Sequence, residues 1–358
     1  MPAQWEQVLA RWQDAGLIDP DGASRIREFE QKQGGSGRLR WPAILAISLG
    51  GLMLMAGVLL FVSAHWEDLA PSRRFASVVA MVVVFHLGGA HASRSQMEAL
   101  AIALHGAGTA ALGAGIYLSG QIFNMSEHWP AAILMWAAGA WIAWALRRDW
   151  LQLSFAAILT PAWIAAEWVD ANPLAEQLAF RTLAQGMLLL AITYFTATRW
   201  KPLVWIGGLA LLPWTLALAL SRQLFGVKDG GEVLASVVAL ALPLAAAFML
   251  RKKSAVLNAV AAVWVLVLNL VSHDPNGPLL YLWCGVGAAG LVAWGLYEHR
   301  SERINIGMAG FAITILFFYF SSVMDKLGRS ESLIGLGVLF LAGGWALEKL
   351  RRRLVARV

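Results

Sequence analysis

VLASVVALALPLAAAFMLRKKSAVLNAVAAVWVLVLNLV, running from Val233 to Val271, is two apolar runs separated only by Arg251, Lys252, Lys253 and Ser254. A helix needs about 20 apolar residues, within a range of about 17 to 25, to cross a hydrocarbon core roughly 30 Å thick. The runs Val233 to Leu250 and Ala255 to Val271 both meet that length. The stretch therefore reads as a membrane hairpin with a positively charged tip.

The same pattern extends in both directions. Apolar cores run from Pro42 to Ala64, Phe75 to Ala92, Met97 to Gly120, Pro130 to Leu146, Trp150 to Val169, Thr182 to Thr198 and Pro202 to Leu220. Beyond the hairpin come Leu279 to Tyr297, Ile306 to Ser322 and Leu333 to Leu347. Together they predict about twelve spans. Basic clusters recur at every second gap: Arg147/Arg148, Arg199/Lys201, Arg251 to Lys253, Arg300/Arg303, and Lys349 with Arg351 to Arg353. The gaps around Gln121 to Trp129 and Ser272 to Pro278 carry no Lys or Arg. Lys and Arg are retained on the cytoplasmic side of membrane proteins, so the alternation predicts an even number of spans with both termini inside. Trp41, Trp66, Trp129, Trp150, Trp168 and Trp200 sit at run ends, where an indole prefers the headgroup region.

Composition agrees. With 59% hydrophobic and 14% charged residues, the chain reads as one membrane-embedded body rather than a string of soluble domains. The formal charge of +6 lies mostly in the membrane-flanking clusters, so nucleic acid is not an expected partner. Cys284 is the single cysteine, which excludes an intrachain disulfide and a cysteine metal site. No cofactor and no metal are expected, and the opening residues do not read as a cleavable signal.

Residues 1–37 form a different unit. Trp5, Val8, Leu9 and Trp12 fall at helical spacing, Gly16 ends that helix, and Asp19-Pro20 supplies an N-cap with proline at the first helical position. Ile26 and Phe29 line a second helix, and Gln31 to Gly37 is a flexible linker. The expected fold is all-α: a cytoplasmic helical hairpin over 1–37 and a polytopic transmembrane bundle over 38–358. The hairpin packs on the bundle, lies on the lipid surface or holds a protein partner.

No catalytic constellation is visible. Gly285, Gly287 and Gly290 spell G-x-G-x-x-G, but the string lies inside a span with no strand before it, and close helix packing explains it better. The small residues Gly106, Ala110 and Ala114 read the same way. Buried polar residues carry more information, since polar side chains in hydrocarbon are costly and face the bundle interior or a cavity. His86 and His105 lie at nearly equal sequence distance from the tip near Arg94 to Gln96, so they reach similar depth on adjacent antiparallel spans. Two readings are open: a proton-sensitive or ligand-contacting pair, or two neutral histidines that bond each other. Gln121 and Asn124 sit at the outer end of the same hairpin, where amides bond neighbouring helices. On the outer side His65, Glu67, Asp68 and His128 form a second candidate group, with Glu127, His273 and Asp274 nearby in the loops. Pro161, Pro213 and Pro243 interrupt three spans, each freeing a carbonyl four residues earlier.

Two stretches carry a family resemblance. Gly16-Leu17-Ile18-Asp19 with Ile26 and Phe29, then Ala64-His65-Trp66-Glu67-Asp68-Leu69, resemble the opening of bacterial membrane proteins grouped as domain-of-unknown-function family 2157. Gly120-Gln121-Ile122-Phe123-Asn124, followed by Trp129-Pro130, Leu134 and Trp136, resembles that family's next characteristic segment. The resemblance covers about the first 150 residues and implies an inner-membrane protein with a cytoplasmic N-terminal helical segment and no established activity. The leading expectation is a non-enzymatic membrane protein that contacts lipids and binds a partner or lipid-like ligand. The rival is a secondary transporter or lipid flippase using the prolines and buried histidines. A membrane enzyme on lipid-linked substrates, for which Glu167 and Asp170 and the outer Glu67 and Asp68 are the available acids, ranks last.

Overall fold

A computed structural model describes residues 4–34, 70–122, 128–171, 176–221, 230–271 and 278–323, with isolated positions at 49, 50, 53, 57, 334, 337, 338, 341, 345 and 349. Every regular element among the described residues is helical. The expected first and last spans fall almost wholly outside them, as do His65, Glu67, Asp68 and Asn124. The chain divides into two compact units, Met1–Ser126 and Glu127–Val358.

In the first unit α1 (Gln4–Asp14) and α2 (Pro20–Gly34) are joined through Gly16, whose φ of +66° is the left-handed conformation glycine adopts without penalty. Asp19 Oδ1 accepts from the Gly22 amide at 3.1 Å, as an N-cap carboxylate should. Leu9 and Ala23 are buried, while Trp12, Leu17 and Phe29 are exposed. The helices α3 (Pro71–Arg94) and α4 (Glu98–Ile122) form an antiparallel pair, turning at Gln96 with φ +60°. Met81 and Phe85 of α3 pack on Ala107 and Ala111 of α4. Of the expected small-residue positions Gly106 is buried and Ala110 and Ala114 are half-buried, while Ala111 and Gly115 beside them are buried.

The second unit holds α5 (Pro130–Arg147), α6 (Trp150–Ala171), α7 (Glu176–Ala197), α8 (Lys201–Leu220) and α9 (Gly230–Arg251). After a 3-10 turn at Lys252–Ala255 come α10 (Val256–Val271), α11 (Pro278–Tyr297) and α12 (Ser301–Phe318), which ends in a π turn at Tyr319–Val323. The pairs α5/α6, α7/α8 and α11/α12 pack as antiparallel neighbours. Connections at the basic end are tight, and Arg148 between α5 and α6, Lys252 between α9 and α10 and His299 between α11 and α12 adopt φ of 55°, 53° and 53°. Left-handed conformation at a non-glycine costs about 1 kcal/mol or more, so these turns are held by the packing of the helices they join.

Seven described segments are long and apolar enough to cross a membrane, among them the whole of Val233–Val271. Neither α6 nor α7 is among them. In α7 the reason is position. Ala184, Leu188, Leu189, Ala191, Ile192 and Phe195 form its buried core face, and Arg181, Thr182, Gln185, Thr193 and Thr196 are buried as well. A helix surrounded by protein meets little lipid, so polar residues that lower its hydropathy are satisfied internally.

The prolines do not break their helices. Pro161, Pro213 and Pro243 lie inside continuous α6, α8 and α9. Ala157, four residues before Pro161, offers its carbonyl to the Tyr194 hydroxyl of α7 at 3.4 Å, and the Pro243 carbonyl accepts from Thr193 at 3.2 Å. These carbonyls tie helices to α7.

Candidate functional site

The histidine pair in the first unit meets in space. His86 Nδ1 and His105 Nδ1 are 3.0 Å apart, with ring centroids separated by 5.3 Å. Each ring lies over a glycine of the opposite helix: a Cβ on Gly89 would stand 2.7 Å from the His105 ring, and one on Gly108 would stand 2.8 Å from His86. The sequence anticipates this, because both histidines are followed three residues later by glycine, which puts ring and glycine on one helix face. A hydrogen bond between two Nδ1 atoms needs one to carry the proton and the other its lone pair. Gln121 lies in the last turn of α4.

Of the outer-loop group only His128 is described. Its ring stands 3.1 Å from Glu167 and 3.5 Å from Asp170, both at the end of α6. Trp163 Nε1 donates to Glu167 at 2.7 Å and Trp129 Nε1 to Asp170 at 2.9 Å. The two acids are thus engaged by a histidine and two indoles at an exposed helix end, where such pairs add little stability.

The most elaborate polar arrangement is at the other end of the second unit, and the sequence reading does not single it out. Glu298, just after α11, accepts from Arg251 at the end of α9, from Arg303 Nη1 of α12 at 2.7 Å, and from Trp294 Nε1 at 2.7 Å. Both arginines reach on to one backbone atom, the Thr196 carbonyl in the last turn of α7, each at 3.0 Å. The last carbonyls of a helix have no partner within it and carry the negative end of the dipole, so two guanidinium groups satisfy need and charge together. Asn258 of α10 adds a 2.8 Å bond to the Thr196 hydroxyl. Both guanidinium groups also lie over the Trp294 ring, at 5.3 and 5.2 Å. Burial pushes the Glu298 carboxyl up, but hydrogen bonds from Trp294, Arg251 and Arg303, with the Arg303 charge, outweigh it and hold its pKa below the usual carboxylate range.

The same device recurs at the opposite end of α7. Buried Arg181 donates to the Ser221 carbonyl at the end of α8 and, at 2.6 Å, to the Asn269 carbonyl near the end of α10. Arg181 is 4% exposed and bonded inside the helix bundle. A fork of donors that cannot be neutralised suits carbonyl groups at helix ends, and burying it unpaired would be prohibitive.

Between these ends lies a cavity of about 600 Å³, walled by α7, α8, α10, α11 and α12 and almost wholly apolar. At the basic end it meets a polar cavity of about 600 Å³, the two sharing Phe195, Thr196 and Tyr297 as walls. The G-x-G-x-x-G string lies in α11 along the apolar cavity, as a helix-packing feature: a Cβ on Gly287 would stand 2.3 Å from the Trp264 indole, while Gly290 faces open space. Trp264 and Trp283 lock α10 to α11 by each donating to the other's carbonyl at 3.0 Å.

A bundle of long apolar helices with charged groups gathered at helix ends defines a polytopic helical membrane protein. The comparison with known families agrees: residues 10–152 match the family described as "Predicted membrane protein (DUF2157)", the family the Gly16–Asp19 and Gly120–Asn124 stretches resemble. No curated protein and no solved structure matches the chain.

Proposed function

We propose that this chain is a non-enzymatic protein of the bacterial inner membrane, threading it about twelve times with both termini cytoplasmic, and that its second unit holds a lipid-like ligand. The apolar cavity walled by α7, α8, α10, α11 and α12 carries the reading. Its volume of about 600 Å³ falls within the roughly 300–1,000 Å³ of ligand sites. Of the polar side chains that line it, Thr196, Trp264, Trp283, Trp294 and Thr314 bond within the protein, which suits an apolar occupant held by packing. The exposed apolar residues of α1 and α2 support a contact of that segment with the lipid surface or a protein partner.

The test is cross-linking of the purified protein in detergent with a photoactivatable fatty acyl probe. Labelled residues concentrated at Leu212, Leu257 and Leu291 are the expected outcome, with labelling reduced by Gly290→Phe, which fills the open space beside α11. Equal labelling of lipid-exposed positions such as Leu209 and Leu242, unaffected by Gly290→Phe, would defeat the proposal.

Transport remains the second reading, supported by the 3.0 Å contact between His86 and His105. Uptake into proteoliposomes that is lost on changing either histidine would favour it.

A further inference from the structure

The polar cavity at the basic end is lined by five cations, Arg199, Lys201, Arg251, Arg300 and Arg303, and by two carboxylates, Glu298 and Glu302. Arg251 and Arg303 are committed to Glu298 and the Thr196 carbonyl. Arg199, Lys201 and Arg300 are exposed, and among the described residues none of them pairs with a carboxylate. The floor therefore carries two arginines on one carboxylate, and the rim sets three cations against Glu302, so both have excess positive charge. Ser254 lines it too and brings a hydroxyl group suited to phosphate oxygens. Its companion is apolar, and the two share Phe195, Thr196 and Tyr297 as walls. A positive mouth opening onto an apolar groove fits a molecule with an anionic head and a hydrocarbon tail.

We infer that the second unit binds an anionic glycerophospholipid, its phosphate among Arg199, Lys201 and Arg300 and an acyl chain in the groove between α8, α10, α11 and α12. The inference rests on the groove reading and adds the head-group chemistry. Membrane-flanking cations attract acidic lipids in general; the local features are the cavity that gathers them and the apolar groove that shares its walls. The floor contributes to shape. With Glu298 saturated by two arginines and an indole, its charge is engaged within the protein.

The test measures binding of fluorescent phosphatidylglycerol and phosphatidylcholine to the purified full chain in neutral detergent. Four proteins are compared: wild type, the triple variant Arg199→Gln/Lys201→Gln/Arg300→Gln, the groove variant Gly290→Phe, and a charge-matched triple, Arg94→Gln/Arg148→Gln/Lys253→Gln. Monodisperse elution and an unchanged melting midpoint establish that each is folded. Each interfacial cation is worth roughly fivefold in anionic lipid binding. The rim triple should therefore weaken phosphatidylglycerol by at least about tenfold and leave phosphatidylcholine unchanged. Gly290→Phe should weaken both lipids, and the charge-matched triple neither. Equal losses in the two triples would reduce the effect to general surface charge and overturn the inference. So would full displacement of phosphatidylglycerol by millimolar inorganic phosphate, which would mark a site for the free anion. Should both lipids bind equally, with Gly290→Phe alone weakening them, the groove reading stands and the anionic head group falls. If neither lipid responds to Gly290→Phe, the groove reading itself fails.

Discussion

Glu298→Gln removes the charge that holds α9, α11 and α12 together at the end of α7. The carboxylate accepts three hydrogen bonds, two on Oε1 from Arg251 and Trp294 and one on Oε2 from Arg303. An amide keeps a single acceptor atom and turns its NH₂ toward a guanidinium that has only donors. At least one charge-assisted bond is lost, and Arg251 and Arg303, both near the Trp294 ring, are left without the anion that pairs them. Breaking a fully buried pair costs about 3–5 kcal/mol. The Glu298 side chain keeps 21% exposure, and both arginines retain the Thr196 carbonyl, so a loss of about 2–3 kcal/mol is the reasoned figure. At about 2–4 °C per kcal/mol for a unit of this size, the melting midpoint falls by about 4–12 °C. Thermal unfolding in detergent, followed by tryptophan fluorescence, reads the shift. Glu302→Gln serves as control, since Glu302 is exposed four residues away. A Glu298→Gln midpoint indistinguishable from that of Glu302→Gln would refute the claim that this carboxylate ties the helices together.

The same carboxylate makes stability pH-dependent. Its pKa is lowered on folding, so its contribution is complete above the usual value of 4.5 and is lost as pH falls toward the folded value; the wild-type midpoint should drop on acidification below that value and that of Glu298→Gln should drop less, parallel curves counting against the assignment. Gly207→Ala and Gly290→Ala both gain about 1 kcal/mol of helix propensity, but a Cβ at 207 meets the Ala191 carbonyl and the Phe195 amide at 2.6 Å while one at 290 meets open space. Melting midpoints should therefore move in opposite directions, down at 207, where overpacking costs about 1–3 kcal/mol or more against unyielding backbone, and up at 290. For the histidines, a double-mutant cycle on His86→Ala and His105→Ala should give a coupling of about 0.5–1.5 kcal/mol from their 3.0 Å bond; additivity within about 0.3 kcal/mol would leave the pair energetically independent.

How far the sequence could be read depended on the kind of physics each feature obeys. Spans and turns follow from hydropathy and charge counted along the chain, and the tight basic turns at Arg148, Lys252 and His299 fall between the runs read from the sequence. The meeting of His86 and His105 was legible because a short antiparallel turn places equidistant residues at one depth. Glu298 was not legible. Its partners are Arg251, far away in sequence, and Arg303, which charge counting treats as one more cytoplasmic marker. A topology rule counts cations without asking which way they point. The local signal was Trp294 four residues before Glu298, one helical turn apart, with Arg303 just beyond. Arg181 escaped for the same reason: its partners are backbone carbonyls of Ser221 and Asn269, and carbonyls leave no trace in residue identity.

The two arginine arrangements around α7 explain how a helix with so much polarity fits at the centre of a membrane bundle. Its hydropathy is low because Arg181, Thr182, Gln185, Thr193 and Thr196 all point into protein, and these residues connect it to α8, α9, α10 and α12. Helices in hydrocarbon gain little from apolar contact with one another, because lipid is equally apolar. Specific association therefore has to come from close packing and polar bonds. The second unit uses both, glycine at Gly207 and arginine at each end of α7. Arg251 and Arg303 are consumed in that work, whereas Arg199, Lys201 and Arg300 take no part in it. Structural demand accounts for the first pair; the three rim cations are the ones left to meet an anion from the membrane.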